Sequence, residues 1–334
     1  MKRNIDTKRT AYLLGWPIDK SISPAFHNCV FEHLGLDIVY RLAPISNIDE
    51  ARDFILKRDY CYLNVTSPYK KLALSCTERA DGASMFAGGC NLVVQDCMAG
   101  YNLDGNAAIN CIERAYTAQN CGQELSESFC NADGSRGNLR VSIFGTGPTA
   151  LSAAFSISAK YGNRARILIL SRSKEKCRVL NKHFASSAIS FAEDLPGLGG
   201  IKACTYDCAS TEIVKSDILI NATTLGLKNT DPSPIKKNLI TSDKIVLDCN
   251  YTCGETKLLQ DARNAGAVSI CGKEMLALQA WRTIEIALDS MEMSEVLKKA
   301  GIGSADTMQV IQAALQDILE CEHGCYVCEF GTKG

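Results

Sequence analysis

The chain has 334 residues, of which 46% are hydrophobic and 22% charged; this composition is ordinary for a globular protein, and the length allows two domains. The formal net charge of −1 gives no reason to expect binding to nucleic acid or to an anionic membrane. No apolar run approaches the roughly 20 residues of a membrane-spanning helix, and the polar N-terminus lacks the apolar segment of a secretory signal. We therefore expect a cytoplasmic protein.

Seventeen cysteines are spread along the chain. Most fall in apparent core segments, where a thiol in a reducing compartment behaves as a small hydrophobic group. Cys321, Cys325 and Cys328 differ, because together with His323 they have the chemistry to hold zinc or an iron–sulfur cluster. Their terminal position and the lack of a second cysteine pair favour a reduced tail without metal.

The first part of the chain predicts short strands that alternate with helices. Strands are expected over 11–16, 39–44, 61–65 and 91–94, and helices over 23–35, 49–57, 69–80 and 107–116. Ser23 followed by Pro24 is typical of a helix start, so capping is a structural explanation for Ser23. Ser21 has no such explanation.

The segment 63–70, LNVTSPYK, lies at the end of one predicted strand. Pro68 interrupts regular structure, which predicts that Thr66 and Lys70 lie on a loop, where α/β proteins commonly place catalytic groups. A solvated surface lysine is the alternative. Asp104 falls in a predicted turn over 100–105, and Asp-Gly is a common turn pair in its own right.

The second half of the chain changes character after a polar, glycine-containing stretch, 117–138, which we interpret as a linker insertion. Apolar strands are then predicted over 141–144, 167–170, 218–222, 245–249 and 268–271, with helices between them. Fully apolar strands that alternate with helices indicate a parallel, doubly wound sheet. Helices over 272–291 and 307–319 have no strand after them, so we expect them to pack back on the first domain.

A glycine-rich turn follows the first strand of this second half. Gly145 and Gly147, with Ala150 at the third position of the G-x-G-x-x-G pattern, stand between that strand and a helix. Such a turn allows a dinucleotide pyrophosphate to approach the backbone N–H groups at the helix start. Pro148 removes one of those donors.

The end of the next strand indicates which nucleotide binds. An acidic residue there would favour NAD, but the chain has Ser171, Arg172, Ser173 and Lys176. Hydroxyl groups and cations suit a 2′-phosphate, so NADP is favoured over NAD. A solvated basic turn is the structural alternative.

Six blocks of sequence, in order, resemble the shikimate dehydrogenase family, including its quinate/shikimate relatives. The resemblance runs from about Tyr12 to Leu288. The blocks are Gly15–Pro24 with His27–Asn28, Asn64–Lys70, Asn102–Gly105, Ile220–Gly226, Asp248–Tyr251 and Gly272–Ala280.

The resemblance implies an α/β substrate-binding and catalytic domain over 1–116 and a Rossmann-type NADP domain over 139–271. C-terminal helices over 272–334 would return to the first domain and end in the cysteine-rich tail, with the active site in the cleft between the domains. Lys70 and Asp104 would be the catalytic acid–base pair. The substrate would be bound by Ser21, Ser23, Thr66, Asn91, Tyr251 and Gln279. The NADP site would comprise Gly145, Gly147, Thr149, Ala150, Ser171, Arg172, Ser173, Lys176, Asn221, Ala222, Thr223, Cys249, Gly272 and Met275, and no metal is expected.

The implied reaction is the reversible reduction of 3-dehydroshikimate to shikimate with NADPH, a step of aromatic amino acid biosynthesis, by a monomer or homodimer. Leu92 and Leu103 stand where the family usually has threonine, and we interpret them as making the pocket more apolar. This departure leaves two alternatives. One is a paralogue that acts on quinate or another hydroxylated ring acid, and the other is a nucleotide-binding sensor without turnover.

Overall fold

Two six-stranded sheets organise the chain. The computed structural model describes residues 9–127, 137–190, 195–251 and 255–293. Contacts group these into two compact units, one formed by 9–103 with 277–293 and the other by 104–276. The helix predicted over 307–319 and the cysteine-rich tail lie outside the described residues, as do residues 128–136 of the predicted linker. None of the described helices is both long and apolar enough to cross a bilayer.

The first unit contains a mixed sheet. Its strands are β1 (Arg9–Gly15), β2 (Ile38–Pro44), β3 (Tyr62–Val65), β4 (Arg79–Ala80), β5 (Leu92–Val94) and β6 (Ala99–Tyr101). Its helices are α1 (Ser23–His33), α2 (Ile48–Lys57), α3 (Lys70–Ser75) and α4 (Gly82–Ala87). The strand order is β2-β1-β3-β5-β6-β4. Strand β5 runs antiparallel to both of its neighbours, β3 and β6, and the other neighbouring pairs are parallel.

The helix predicted over 69–80 is wrong in length. It ends at Ser75, where the hydroxyl groups of Ser75 and Thr77 donate to carbonyl oxygens one turn earlier, at 2.7 Å each. Such local bonds offer the backbone an alternative to continuing the helix. A short strand follows, and Asp81 then caps α4 by accepting from the Ser84 N–H at 2.8 Å.

The second unit contains a fully parallel sheet. Its elements are α5 (Asp104–Gln119), β7 (Leu139–Phe144), α6 (Pro148–Tyr161), β8 (Ala165–Ser171), α7 (Lys174–Ser190), β9 (Ile201–Thr205), α8 (Ser210–Val214), β10 (Ile218–Asn221), β11 (Ile245–Asp248), α9 (Lys257–Asn264), β12 (Val268–Cys271) and α10 (Gly272–Ser290), whose later part belongs to the first unit. The strand order β12-β11-β10-β7-β8-β9 is that of dinucleotide-binding sheets. The doubly wound prediction is confirmed, although β9 was not anticipated.

The hydrophobic core of the first unit includes the apolar face of α10. Trp281, Ile284 and Leu288 are buried in one cluster with Phe26 and Val30 of α1. Their spacing along α10 places them on one side of the helix. The helix predicted over 272–291 thus contributes its later part to the core of the first unit.

Helix α5 belongs to the second unit by its contacts, whereas the sequence-based division ended the first domain at residue 116. The difference arises because α5 packs closely along α6. A Cβ atom added to Gly105 would overlap the carbonyl oxygen of Ser152, so only glycine allows the two helix starts to approach so far.

Candidate active site

The loop that leads to Lys70 is held from both sides. A Cβ at Gly15 would overlap the Thr66 side chain, so glycine at the end of β1 lets the loop pack against it. The buried Tyr69 donates from its hydroxyl to the Ile45 carbonyl oxygen at 2.8 Å. Lys70 is half-buried and is the first residue of α3, so the prediction that it lies on the loop itself is wrong by one residue.

Ser21 and Ser23 are brought together at the start of α1. The Ser21 hydroxyl donates to the Ser23 hydroxyl at 3.1 Å and accepts from the Ser23 N–H at 3.3 Å. The helix cap is Ile22 and makes no side-chain bond. Capping by Ser23 is therefore wrong, and Ser21 has a structural role that the sequence did not suggest. The pair presents two adjacent hydroxyl groups, and both could donate to a carboxylate once the Ser21 hydroxyl turns its hydrogen away from Ser23.

A buried network of hydrogen bonds in the first unit connects two predicted substrate residues. Gln279 donates to the Thr283 hydroxyl at 3.1 Å, and Asn64 donates to the same hydroxyl at 3.1 Å. The Asn64 amide also donates to the Asn91 carbonyl oxygen at 3.2 Å and accepts from the Tyr40 hydroxyl at 2.9 Å. Asn64 and Thr283 were missed by the sequence analysis, since neither residue type signals such a position.

Leu92 and Leu103 are core residues. Their side chains are 0% and 4% exposed and belong to the cluster that packs α10 on the first sheet. The Asn91 side-chain carbonyl accepts from the Leu103 N–H at 3.0 Å, which positions this part of the chain. The interpretation that the two leucines form an apolar pocket wall is replaced by a packing role.

His27, within the first block of the resemblance, is a core histidine. Its ring stacks on Tyr40 at 4.0 Å between centroids, and Nδ1 is 2.8 Å from the Tyr62 hydroxyl. Burial lowers its pKa to about 3, so the ring is neutral at physiological pH. It therefore contributes no charge to the site.

In the second unit, the glycine-rich turn has the geometry for a pyrophosphate. Gly145 has φ +116° and its added Cβ would lie 2.7 Å from the Ala222 carbonyl oxygen, so glycine is required there. Gly147 caps α6, and within the described part of the chain its added Cβ would meet no atom within 4 Å. A side chain would extend into that open space before the helix N-terminus, so the residues present fit the nucleotide.

A residue predicted for the NADP site, Thr149, contacts a residue predicted to be catalytic, Asp104, in this unit. The Thr149 hydroxyl, at the start of α6, donates to Oδ2 of Asp104 at 2.7 Å. Asp104 is 7% exposed and is the first residue of α5, so the predicted turn is wrong, and the helix begins where Asp-Gly suggested a reversal. Nearby, the Gly105 N–H donates to the Ser152 hydroxyl at 3.0 Å.

The end of β8 exposes cations. The Ser171 hydroxyl accepts from the Ser173 N–H at 3.1 Å, and the Ser173 hydroxyl accepts from the Lys176 N–H at 3.2 Å, which starts α7. Arg172 and Lys176 are exposed. The nearest acid in sequence, Glu175, binds Arg178 through two hydrogen bonds of 2.6 and 3.0 Å, so it does not neutralise Arg172.

Asn221 shapes the turn after β10. Its side-chain oxygen accepts from the Thr223 N–H at 3.1 Å and from the Thr223 hydroxyl at 2.7 Å. Its amide donates to Asp248 at 2.9 Å and to the Leu225 carbonyl oxygen at 2.8 Å. Asn221 is 0% exposed, so it orients the turn that carries Ala222 and Thr223. Burial raises the pKa of the Asp248 carboxyl, although its hydrogen bonds oppose this.

The remaining predicted residues lie where α10 begins. A Cβ at Gly272 would lie 2.6 to 2.8 Å from three carbonyl oxygens of residues 248–250, so glycine permits this close packing. Met275 is buried, and Cys249 and Tyr251 are half-buried. Burial raises the pKa of Glu274 to about 7, while the Arg114 charge opposes the rise. Among the described residues no group of His, Cys, Asp and Glu is arranged to hold a metal ion.

Two comparisons of the sequence with known proteins indicate the same family. The family model described as the shikimate dehydrogenase substrate binding domain matches residues 13–93. The shikimate dehydrogenase (NADP(+)) of Methanosarcina acetivorans is 31% identical over 300 residues, covering 87% of this chain and 97% of that protein.

Solved structures share the fold. A shikimate dehydrogenase in complex with NADP+ has a TM-score of 0.68 at 24% identity and covers 93% of this chain and 96% of its own. A quinate dehydrogenase from Corynebacterium glutamicum in complex with NAD has a TM-score of 0.65 at 20% identity and covers 87% of this chain and 99% of its own. The fold alone therefore does not separate shikimate from quinate enzymes.

Proposed function

The chain belongs to the shikimate dehydrogenase family, and from this premise we propose that it is an NADP-dependent shikimate dehydrogenase. The observation that carries the proposal is the 31% identity to a shikimate dehydrogenase (NADP(+)) over 87% of this chain. The reaction is the reversible reduction of the ring ketone of 3-dehydroshikimate to the alcohol of shikimate. We further propose that the first unit binds the substrate, that the second binds NADP, and that the protein acts as a monomer or homodimer.

Bound NADPH supplies the hydride that the ketone carbon receives. Lys70 is proposed to donate a proton from Nζ to the carbonyl oxygen as negative charge develops there, and its ammonium also stabilises that charge. Asp104 favours the charged form of the lysine and orients it. In the oxidative direction the same pair takes the proton from the substrate hydroxyl.

The remaining residues position the substrate. Ser21 and Ser23, whose hydroxyl oxygens are 3.1 Å apart, are proposed to donate to the substrate carboxylate, with Tyr251. Thr66, Asn91 and Gln279 are proposed to bind the ring hydroxyls. The buried bonds through Thr283 support this role for Gln279, because they fix the orientation of its amide.

The cofactor preference rests on the end of β8. The exposed Arg172 with Ser171 and Ser173 supports recognition of a 2′-phosphate, since a guanidinium pairs well with phosphate oxygens. The turn at Gly145 and Gly147 is proposed to receive the pyrophosphate, and the segment from Asn221 to Thr223 to line the nicotinamide side.

The test is an assay of NADP+ and NAD+ reduction with shikimate and with quinate, using wild type, Lys70→Ala and Lys71→Ala. Lys71 is the exposed neighbour in α3 and serves as the matched control. We expect NADP-dependent oxidation of shikimate that Lys70→Ala lowers by about a thousandfold or more and Lys71→Ala leaves within threefold. NADP binding by Lys70→Ala should remain normal.

Other outcomes of this assay would contradict the proposal. Faster turnover of quinate than of shikimate would favour the paralogue. NADP binding without oxidation of either ring acid would favour a nucleotide sensor. Substantial activity in Lys70→Ala would remove Lys70 from the catalytic pair. Light scattering on the same preparation gives the oligomeric state.

A further inference from the structure

We propose that Thr149 is a positioning residue for Asp104, through which the nucleotide-binding turn holds the catalytic carboxylate in place. The inference rests on the proposed function, because it assigns to Asp104 the role described above. It concerns the hydroxyl group of Thr149, and it adds a task to a residue otherwise expected only to line the nucleotide site.

The geometry places the two groups in direct contact. Oγ1 of Thr149 donates to Oδ2 of Asp104 at 2.7 Å, and the donor and acceptor lie 45 residues apart in sequence. Asp104 is 7% exposed, so water competes little for its oxygens. A charge-assisted bond of this length in a buried setting is among the stronger hydrogen bonds in proteins.

A second contact prevents the two helix starts from sliding past each other. The N–H of Gly105 donates to the Ser152 hydroxyl at 3.0 Å, and the Gly105 α-carbon lies directly against the Ser152 backbone. Thr149 and Ser152 are three residues apart and therefore share a face of α6. The start of α5 is thus fixed to the start of α6 at two consecutive residues, Asp104 and Gly105.

This arrangement has two chemical consequences. A hydroxyl that donates to a carboxylate stabilises its charged form and lowers its pKa, and it also restricts rotation of the carboxylate. Thr149 follows Gly147 and Pro148 directly, so its bond to Asp104 connects the nucleotide-binding turn to the carboxylate. Nucleotide binding and the placement of Asp104 are therefore coupled, and the coupling acts in both directions.

The kinetic test compares Thr149→Val, which keeps the side-chain shape and removes the hydroxyl, with Thr149→Ser, which keeps the hydroxyl. We expect Thr149→Val to lower kcat about tenfold and to move the acid limb of the pH profile of kcat/KM up by about one unit, from the loss of a charge-assisted bond. Thr149→Ser should retain kcat within threefold and the wild-type limb. The inference would be overturned if Thr149→Val kept the wild-type kcat and pH profile. It would also be overturned if Thr149→Val lost only NADP affinity, or if both variants lost kcat to the same extent.

A spectroscopic test separates this inference from the proposed function. The carboxyl carbon of Asp104 is followed by NMR in protein labelled with [4-13C]aspartate, and its signal is assigned with Asp104→Asn. Thr149→Val should raise the pKa of Asp104 by about one unit, whether or not shikimate is oxidised. A shifted titration in a protein that does not oxidise shikimate would refute only the proposed function. An unshifted titration in an active enzyme would refute only the inference. A far-ultraviolet circular dichroism spectrum like that of the wild type, with a cooperative melt above the assay temperature in both Thr149 variants, excludes misfolding as the cause.

Discussion

Replacing Glu274 by glutamine should make the free energy of unfolding less dependent on pH. Glu274 lies in the first turn of α10, where burial raises its pKa from the ordinary 4.5 to about 7. Between these values the folded state binds a proton that the unfolded chain has released. The stability of the wild type therefore falls as the pH rises from about 5 to 8. Glutamine has the same shape and does not titrate.

The magnitude follows from the two pKa values. One pKa unit corresponds to about 1.36 kcal/mol, and integrating the difference in bound protons from pH 5 to pH 8 gives about 2.5 kcal/mol. This is an upper value, because Glu274 is half-buried and water that reaches its carboxyl reduces the cost of the charge. We expect Glu274→Gln to gain about 1.5 to 2.5 kcal/mol relative to wild type on going from pH 5 to pH 8.

The assay is urea denaturation of both proteins, under reducing conditions, at pH 5, 6.5 and 8. Taking the difference between variant and wild type cancels the other titrating groups. Glu285→Gln, on the same helix, is the matched control, because Glu285 forms an ion pair of 3.0 Å with Arg282 at the surface and such pairs contribute about 1 kcal/mol or less. If the gain of Glu274→Gln were the same at all three pH values, burial would not raise this pKa and the reasoning would be refuted.

Two further predictions concern the cofactor and the buried network. Arg172→Ala should raise the KM for NADP by tenfold to a hundredfold, because a charge-assisted contact is lost. The KM for NAD should stay nearly unchanged. An equal rise of both KM values in steady-state assays would contradict recognition of the 2′-phosphate by Arg172. Thr283→Val should remove the acceptor shared by Asn64 and Gln279, which destabilises the protein by about 1 to 3 kcal/mol and raises the KM for shikimate more than it lowers kcat. Unchanged stability in urea together with an unchanged KM would show that the network does not hold Gln279.

Local patterns predicted much of the second unit. The last strand, Val268–Cys271, has the same bounds as the predicted strand. A short apolar segment between two helices is typical of a buried strand in a parallel sheet. Strand β9 was missed, since Ile201–Thr205 includes a lysine and a threonine and carries little apolar signal. The position of Asp104 was misjudged because Asp-Gly suits a turn and a helix start equally well.

Contacts between distant residues could not be predicted from the sequence. Asn64 and Thr283 are 219 residues apart, and their hydrogen bond exists only because α10 packs on the first sheet. The bond between Thr149 and Asp104 similarly depends on the close approach of α5 and α6, which Gly105 permits. Motifs thus identified candidate site residues individually, whereas their mutual support arises from tertiary packing.

The burial of Leu92 and Leu103 has a consequence for the evolution of this protein. A threonine introduced at position 92, as is usual in the family, would place a hydroxyl at a fully buried position of the core cluster that includes Trp281 and Ile284. A buried hydroxyl left without a partner costs about 1 to 3 kcal/mol. We therefore expect the effect of an exchange at this position to depend on the apolar face of α10, which belongs to the same cluster. Attempts to broaden substrate preference are better directed at Ser21 and Thr66, two of the proposed substrate-binding residues, because neither belongs to that core cluster.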